Sequence, residues 1–166
     1  MRLKKIQIIL KCLKSLTTIK PYLPEYKETL ISIFKSNIPL YFAEEELPLF
    51  TAFLDRNDCP YAVILKDDVI VGCGGIALNE PSQYTTVPHV IMCWGMVHHE
   101  FHKQGLGKAL LQYRIDQAKI LYPDTRIALG TTQHSSPFFE KYGFKTVFYE
   151  KDHWAKDLDL YQMELL

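Results

Sequence analysis

The sequence predicts a mixed α/β (α+β) fold in which helices flank one central mixed β-sheet. Two observations support this prediction. Short segments rich in β-branched residues alternate with segments whose apolar residues recur at helical spacing, and the resulting order of elements is βααβββαβαββ. The chain has 166 residues, of which 48% are hydrophobic, and this is typical of one domain around a single core.

The first half of the chain contributes a strand, two helices and a hairpin. β-Branched residues predict a strand over residues 17–22, and apolar spacing predicts a helix over residues 25–35. A second helix over residues 43–54 starts with three glutamates, which suit the positive end of a helix dipole. The segments 61–66 and 69–78 are separated by only two aspartates, so they predict an antiparallel hairpin.

The second half adds a long helix over residues 105–121, because leucines and other apolar residues recur there every three or four positions. Tyr122 and Pro123 end this helix, and Gly143 is expected to cap the C-terminus of a later one. The other predicted elements are, in chain order, a strand over 89–97, a strand over 125–129, a helix over 135–142 and strands over 144–150 and 158–165.

Charge and cysteine content restrict the classes of protein. Lys+Arg 19 balance Asp+Glu 19, so the total charge gives no indication of nucleic-acid binding. The four cysteines form no CxxC pair, which favours reduced thiols and a cytoplasmic location. No segment approaches the roughly 18 apolar residues of a transmembrane helix, so no transmembrane segment is predicted.

Residues 1–16 form a basic amphipathic N-terminal extension, ahead of a single domain over residues 17–166. Leucines and isoleucines recur there at helical spacing with lysines between them. A helix packed on the body, a frayed tail, a helix on an anionic membrane surface and a start codon placed too early are the open alternatives.

A glycine-containing loop lies at the predicted junction of the strand over 89–97 with the helix over 105–121. Gly105 and Gly107 let the backbone approach a ligand closely, and Lys103 and Lys108 add positive charge. Free N–H groups at the positive end of a helix dipole are a ready site for phosphate oxygens. Neither the P-loop pattern nor GxGxxG is present, so a simple tight turn is the alternative to a pyrophosphate site.

Two motifs around this loop resemble landmarks of the GNAT N-acetyltransferase superfamily. The segment His102-Lys103-Gln104-Gly105-Leu106-Gly107 resembles the acyl-CoA motif Gln/Arg-x-x-Gly-x-Gly/Ala, with His102 as the departure. The segment Phe138-Phe139-Glu140-Lys141-Tyr142-Gly143-Phe144 resembles the later motif Phe/Leu-Tyr-Glu-Lys-x-Gly-Phe. With the order of elements, the resemblance covers residues 17–166.

The resemblance implies how the acyl donor binds. Acetyl-CoA is expected between the fourth and fifth strands, which splay apart in this superfamily, with its pyrophosphate on the main-chain amides of the glycine loop. The implied cofactor-binding residues are Met96, Val97, His102, Lys103, Gln104, Gly105, Leu106, Gly107, Lys108, Thr132 and Phe139.

The resemblance also implies the reaction, which is direct attack of a primary amine on the thioester of acetyl-CoA. A main-chain N–H of the bulged fourth strand, near Met96 or Val97, is expected to polarise the carbonyl. The acceptor is a small-molecule or protein amine, no metal is expected, and a homodimer is a possibility that the superfamily suggests.

The general acid is the main departure from the superfamily. Many members place a tyrosine hydroxyl beside the CoA sulfur, and the matching position here is Phe139, which has no proton to donate. Tyr142 and Tyr149 are the candidate substitutes, with water as the alternative. Tyr142 is the preferred candidate for the general acid.

The general base is equally open. Some members use a glutamate on the fourth strand, where this chain has Cys93, a weak base. Other titratable groups near the expected cleft are His98, His99, Glu100 and His134. His134 is the preferred candidate for the general base, since it follows the fifth strand and an imidazole suits proton transfer near neutral pH.

Acidic and aromatic residues occupy the connection between the first two helices. Glu44, Glu45 and Glu46, with Tyr41 and Phe42, would favour a cationic amine on the acceptor side. The alternative is that the glutamates merely stabilise a helix N-terminus.

Two other classes of function are alternatives to the transferase. The segment around His99 and Glu100 misses the zinc motif HExxH, because Lys103 stands where the second histidine is needed, so no metal is predicted. A non-catalytic module that binds acyl-CoA is the remaining alternative, because Phe139 and Cys93 both lack the expected chemistry.

Overall fold

The computed structural model describes residues 16–79 and 87–165, and all structural statements concern these residues. Their seven strands form one sheet in the order β1-β2-β3-β4-β5-β7-β6. The strands are β1 (Thr17–Pro21), β2 (Tyr61–Lys66), β3 (Val69–Asn79), β4 (His89–Val97), β5 (Arg126–Thr131), β6 (Phe144–Ala155) and β7 (Leu158–Leu165). The α-helices are α1 (Lys27–Ser36), α2 (Leu47–Arg56), α3 (Leu106–Leu121) and α4 (Ser136–Glu140).

The predicted fold class and order of elements are confirmed, and the differences lie at element ends. Short 3-10 turns at Pro24–Tyr26 and Glu44–Glu46 precede α1 and α2, where the sequence predicted continuous helices. Strand β6 continues to Ala155 instead of ending at residue 150, because it pairs with β7 as far as the tight connection at Leu158. The predicted helix over residues 1–16 lies outside the described residues except for Leu16.

Helices cover both faces of the sheet. Val63 and Leu65 of β2 pack in the cluster that contains Leu30 and Phe34 of α1. Ile64, which points to the opposite face, packs instead with the N-terminal part of α3. None of the helices in the described ranges has the length and apolarity needed to cross a bilayer.

Strands β4 and β5 are parallel and separate after a short paired section. Their register runs His89↔Arg126, Val90↔Ile127 and Ile91↔Ala128 and goes no further, although β4 continues to Val97 and β5 to Thr131. The splay that the superfamily resemblance implied is therefore present. It leaves an opening in the middle of the sheet.

A β-bulge bends β4 beside this opening. Cys73↔Met96 and Gly75↔Cys93 are successive paired positions, so two residues of β4 face one residue of β3. One of the two is Trp94, whose φ of 43° lies in the left-handed region. The bulge falls just before the positions at which the sequence analysis expected the carbonyl-polarising N–H.

Candidate active site

A cleft of about 950 Å³ occupies the opening between the splayed strands. Its walls are the unpaired end of β4, the end of β5 with the following loop, the start of α3, helix α4 and the connection between α1 and α2. Clefts of this size are typical of ligand-binding sites. Most of the sequence-predicted site residues meet here.

The glycine loop forms the mouth of the cleft. Gly105 is the N-cap of α3, and its φ of +80° lies in the left-handed region of backbone conformation. The backbone of Lys103 lies in the same region, with φ 61°. The first intrahelical bond runs from the N–H of Ala109 to the carbonyl of Gly105, so the preceding amides remain free for a ligand. A Cβ on Gly107 would meet only the Phe138 ring, at 3.6 Å, and no other side chain would lie within 4 Å of it. The arrangement suits phosphate oxygens.

Two predicted loop residues do not line the cleft with their side chains. Leu106 is buried against Val97 and Leu110 in the core under α3. Gln104 is exposed, and its side chain accepts a hydrogen bond from Lys66. The other predicted loop and strand residues do line it: Met96, Val97, His102, Lys103, Gly105, Gly107 and Lys108.

His102, the departure from the acyl-CoA motif, is tied to the end of β4. Its Nε2 lies 2.8 Å from the carbonyl oxygen of Val97, and Asn37 Nδ2 donates to the same oxygen at 3.0 Å. The His102 ring also contacts the ring of Tyr41 edge-on, at 5.3 Å between centroids. His102 therefore holds the strand end in place as well as lining the cleft.

Three buried side-chain polar atoms within the described ranges have no hydrogen-bond partner. They are Nε of Arg114, Oγ1 of Thr132 and Nε1 of Trp154. All three residues line the cleft. Because buried polar groups in proteins are almost always paired, this coincidence indicates that a ligand supplies the missing partners.

The candidate acids lie at different places. Phe139 and Tyr142 line the cleft, half-buried, and both pack against the Phe138 ring. Tyr149 is exposed on β6, does not line the cleft, and donates its hydroxyl to Asp159 at 2.9 Å, a bond that raises the pKa of Tyr149. Tyr142 therefore lies in the cleft, whereas Tyr149 lies outside it.

The candidate bases also differ in whether they line the cleft. His134 lines the cleft, exposed, with its ring 6.4 Å from that of Tyr41. His98, His99 and Glu100 lie outside its lining. Cys93 lines the cleft, but its hydrogen-bonded neighbour Cys59 and its burial raise the pKa of the Cys93 thiol, which removes it as a base.

Glu46 has the position that each interpretation of the glutamates requires. Its carboxylate accepts the backbone N–H of Ala43 at 2.8 Å, which stabilises the start of the helical segment, and its side chain also lines the cleft. Burial raises the pKa of Glu46, against a lowering by the Ala43 bond and by His153. Glu44 and Glu45 are exposed.

The sequence analysis missed Arg114 and Trp154. Arg114 is 5% exposed, although it carries a charge, and it lies four positions after Leu110 and four before Ala118, which are both buried. A charged residue on the apolar face of a predicted helix is the signal that identifies it. Trp154 gave no such signal, because β6 was expected to end before it.

Within residues 16–79 and 87–165, no group of three His, Cys, Asp or Glu side chains is placed to hold a metal ion. The three cysteines in these ranges, Cys59, Cys73 and Cys93, are free thiols.

A mixed sheet that splits between two parallel strands, with a helix N-terminus at the mouth of the split, defines a class of acyltransferases that take their acyl group from coenzyme A. The model of the Acetyltransferase (GNAT) family matches residues 27–144, well over half of the chain. The chain therefore belongs to the GNAT acetyltransferase family, as the two motifs predicted.

Solved structures agree on the fold. A GNAT-family protein from Desulfovibrio desulfuricans superposes with a TM-score of 0.73 at 16% identity, over 90% of this chain and 98% of that one. An N-acetyltransferase from Staphylococcus aureus Mu50 gives 0.70 at 20% identity, over 91% and 98%. A protein from Salmonella typhimurium, assigned as an acetyltransferase and solved with its cofactor acetyl-CoA, gives 0.68 at 17% identity, over 91% and 94%. A search of curated proteins finds no match to this chain.

Proposed function

We propose that this chain is an N-acetyltransferase that transfers the acetyl group of acetyl-CoA to a primary amine. The observation that carries the proposal is the cleft between β4 and β5, with the free amides of the α3 N-terminus at its mouth. The acetyl-CoA bound by the Salmonella typhimurium neighbour supports the choice of donor.

The loop residues have the properties needed to hold a pyrophosphate. The free amides at Gly105 to Lys108 are the hydrogen-bond donors, and Lys103 and Lys108 contribute charge at the rim. The main chain of β4 beyond its pairing with β5 and the unpaired Thr132 hydroxyl are polar partners for the pantetheine arm. Phe139 is an apolar wall beside them.

When bound, acetyl-CoA supplies a thioester whose carbonyl carbon the amine attacks, so that a C–N bond forms and the C–S bond breaks. Main-chain N–H groups at the β4 bulge, from Gly95 to Val97, are suited to stabilise the negative charge on the oxygen. His134 accepts the proton that the amine loses, because an imidazole suits that role at neutral pH. Tyr142 donates a proton to the leaving thiolate.

The acceptor side of the cleft favours a cationic amine. Glu46 contributes a carboxylate, and Tyr41 and Trp154 contribute aromatic surface. The unpaired Trp154 N–H is a further donor available to an acceptor group. Small-molecule and protein amines both carry the required ammonium group.

The test is acetyl-CoA turnover with a panel of small amines and lysine-containing peptides, followed by mass spectrometry of the acetylated products. The matched control is Gly107→Glu, which blocks the proposed phosphate site. Acetylation of at least one amine by the wild type, lost in the variant, is the expected result. Binding of acetyl-CoA without transfer to any amine would instead identify a non-catalytic acyl-CoA-binding module.

A further inference from the structure

Arg114 lies in a recess that two glycines create beneath the bulge of β4. A Cβ on Gly95 would lie 2.5 Å from Nη1 and 2.6 Å from Nη2 of Arg114, and a Cβ on Gly74 would lie 3.2 Å from its Nε. Any larger residue at Gly95 would collide with the guanidinium. The guanidinium therefore lies directly against the bulged main chain, on the wall of the cleft.

This buried cation has no partner of opposite charge among the described residues. Nε has no hydrogen-bond partner, and no carboxylate within residues 16–79 and 87–165 forms an ion pair with Arg114. The titratable groups around it, Tyr61, Cys73 and Cys93, all have raised pKa values and are neutral. Burial lowers the pKa of Arg114. A buried charge with no ion pair and an unpaired Nε costs free energy.

We propose that Arg114 binds a carboxylate of the substrate, so that this enzyme prefers a substrate with a carboxylate close to the reacting group. A guanidinium presents a planar fork of N–H donors that matches the two oxygens of a carboxylate. The Nε of this fork is unpaired, and the residue lines the cleft. The inference rests on the proposed acyl transfer and narrows its substrate class.

The position of Arg114 separates this site from the phosphates of coenzyme A. Arg114 follows Gly107 by seven residues on the same helix, which is about 10 Å along the helix axis. The pyrophosphate is expected at the helix start, whereas Arg114 lies at the β4 bulge, where the acyl group is expected. The carboxylate therefore belongs either to the acyl chain, as in succinyl-CoA, or to an acceptor such as an amino acid.

The donor arm of the test compares wild type with Arg114→Met by calorimetric titration of acetyl-CoA and succinyl-CoA. If the acyl chain carries the carboxylate, the variant loses about tenfold to hundredfold in affinity for succinyl-CoA and keeps its affinity for acetyl-CoA. The acceptor arm compares kcat/KM for lysine and cadaverine, which differ by the carboxylate. If the acceptor carries it, the preference for lysine falls by a similar factor in the variant.

Controls separate a binding role from a structural one. Met removes a buried unpaired charge, so apo Arg114→Met should melt at the same temperature as wild type or higher. Arg56→Met, at an exposed arginine, is the matched control. It should leave the preference for a substrate carboxylate unchanged. Should Arg114→Met fold poorly, Arg114→Lys keeps the charge but not the fork and should lose most of the same preference.

Two negative results have different meanings. If wild type and both Arg114 variants show no dependence on the carboxylate in either arm while acetyl-CoA still binds, the inference is wrong and the proposed function stands. If wild type fails to bind acetyl-CoA or any acyl-CoA, both are wrong.

Discussion

At the scale of single residues, the proposed function assigns protonation of the leaving thiolate to Tyr142 and leaves Phe139 without a proton to donate. Phe139→Tyr adds a hydroxyl on the cleft wall, and Tyr142→Phe removes one. General acid assistance is worth about 10² to 10⁴-fold where proton transfer limits the rate. We expect kcat to rise or stay level in Phe139→Tyr and to fall by about 10²-fold in Tyr142→Phe, measured by steady-state kinetics with acetyl-CoA.

Tyr149→Phe is the matched control for these two variants, since its hydroxyl bonds Asp159 away from the cleft. It should leave kcat unchanged. A Tyr142→Phe enzyme with wild-type kcat would show that water, or another group, protonates the thiolate. An inactive Phe139→Tyr that still binds CoA would make Phe139 a wall of the acceptor pocket.

Gly107 determines access to the free amides of α3. Its backbone is in ordinary helical geometry and a Cβ would meet only a ring carbon of Phe138 at 3.6 Å, so Gly107→Ala should fold and bind CoA. Gly107→Glu places a negative charge against the proposed pyrophosphate, and we expect its affinity for CoA to fall by about 100-fold or more, measured by calorimetry. Normal affinity in Gly107→Glu would mean that the phosphate site lies elsewhere.

Glu46 gives a stability effect that depends on pH. Its pKa is raised in the folded state by burial, so the folded protein binds this proton more tightly than the unfolded chain. The contribution of Glu46 to the free energy of unfolding is therefore present at pH 4 and lost as pH rises through the raised pKa. Glu46→Gln keeps an acceptor for the Ala43 N–H and removes the charge.

We therefore expect Glu46→Gln to gain stability relative to wild type between pH 4 and pH 7, measured by urea unfolding at both pH values. The exposed Glu44→Gln is the control and should show no such change. An equal difference between Glu46→Gln and wild type at both pH values would contradict the raised pKa.

Single residues also show how far the sequence alone could predict the site. Lys103, Gly105 and Gly107 of the glycine loop line the cleft, and so do the predicted residues Thr132, His134, Phe139 and Tyr142. The place of Arg114 on the apolar face of α3 signals its burial, but its contact with Gly95 joins two segments that no local pattern connects. The unpaired N–H of Trp154 was missed because the length of β6 is fixed by pairing with β7, not by its own composition.

At the scale of elements, strand β4 and helix α3 are fitted to each other at one point. Gly95 leaves room for the Arg114 guanidinium, because a Cβ at position 95 would lie only 2.5 Å from Nη1 of Arg114. Gly95→Ala should therefore overpack this contact and lower the free energy of unfolding by about 1 to 3 kcal/mol. In an Arg114→Ala background the same change should cost much less, because the obstructing group is gone.

Urea unfolding of the two single variants and the double variant gives the coupling energy of the pair. We expect a coupling of about 1 kcal/mol or more between Gly95→Ala and Arg114→Ala. Gly107→Ala with Arg114→Ala is the matched control pair and should be additive. Additivity of the first pair would mean that the guanidinium does not lie against the bulge.

Element types were predictable here, and element ends less so. The strong apolar period of α3 and the paired strands β2 and β3 match their predicted positions closely. The 3-10 turns before α1 and α2 were not predicted, since the apolar spacing that indicates a helix does not distinguish its first turn from a tighter one.

At the scale of the whole molecule, the sheet consists of two parts with a weak junction. Strands β1 to β4 form one part and β5 to β7 the other, and three residue pairs of β4 and β5 join their backbones. Helix α3 and the core beneath it, which joins Val90 and Met92 of β4 to Ile127 and Leu129 of β5, supply a further connection. A ligand in the cleft contacts both parts at once, so it should stabilise the junction itself.

This architecture predicts that acetyl-CoA raises global stability and slows local opening along both walls of the cleft. At 100 times its dissociation constant a ligand adds about 2.7 kcal/mol, which corresponds to about 5 to 10 °C in Tm for a domain of this size. Hydrogen exchange should slow in β4 from Met92 to Val97 and in β5 from Leu129 to Thr131, on either side of the opening. NAD and ATP at the same concentration should change Tm little. None of the three ligands should raise the Tm of Gly107→Glu. Protection confined to β4, with β5 unchanged, would mean that the ligand does not bridge the two parts of the sheet.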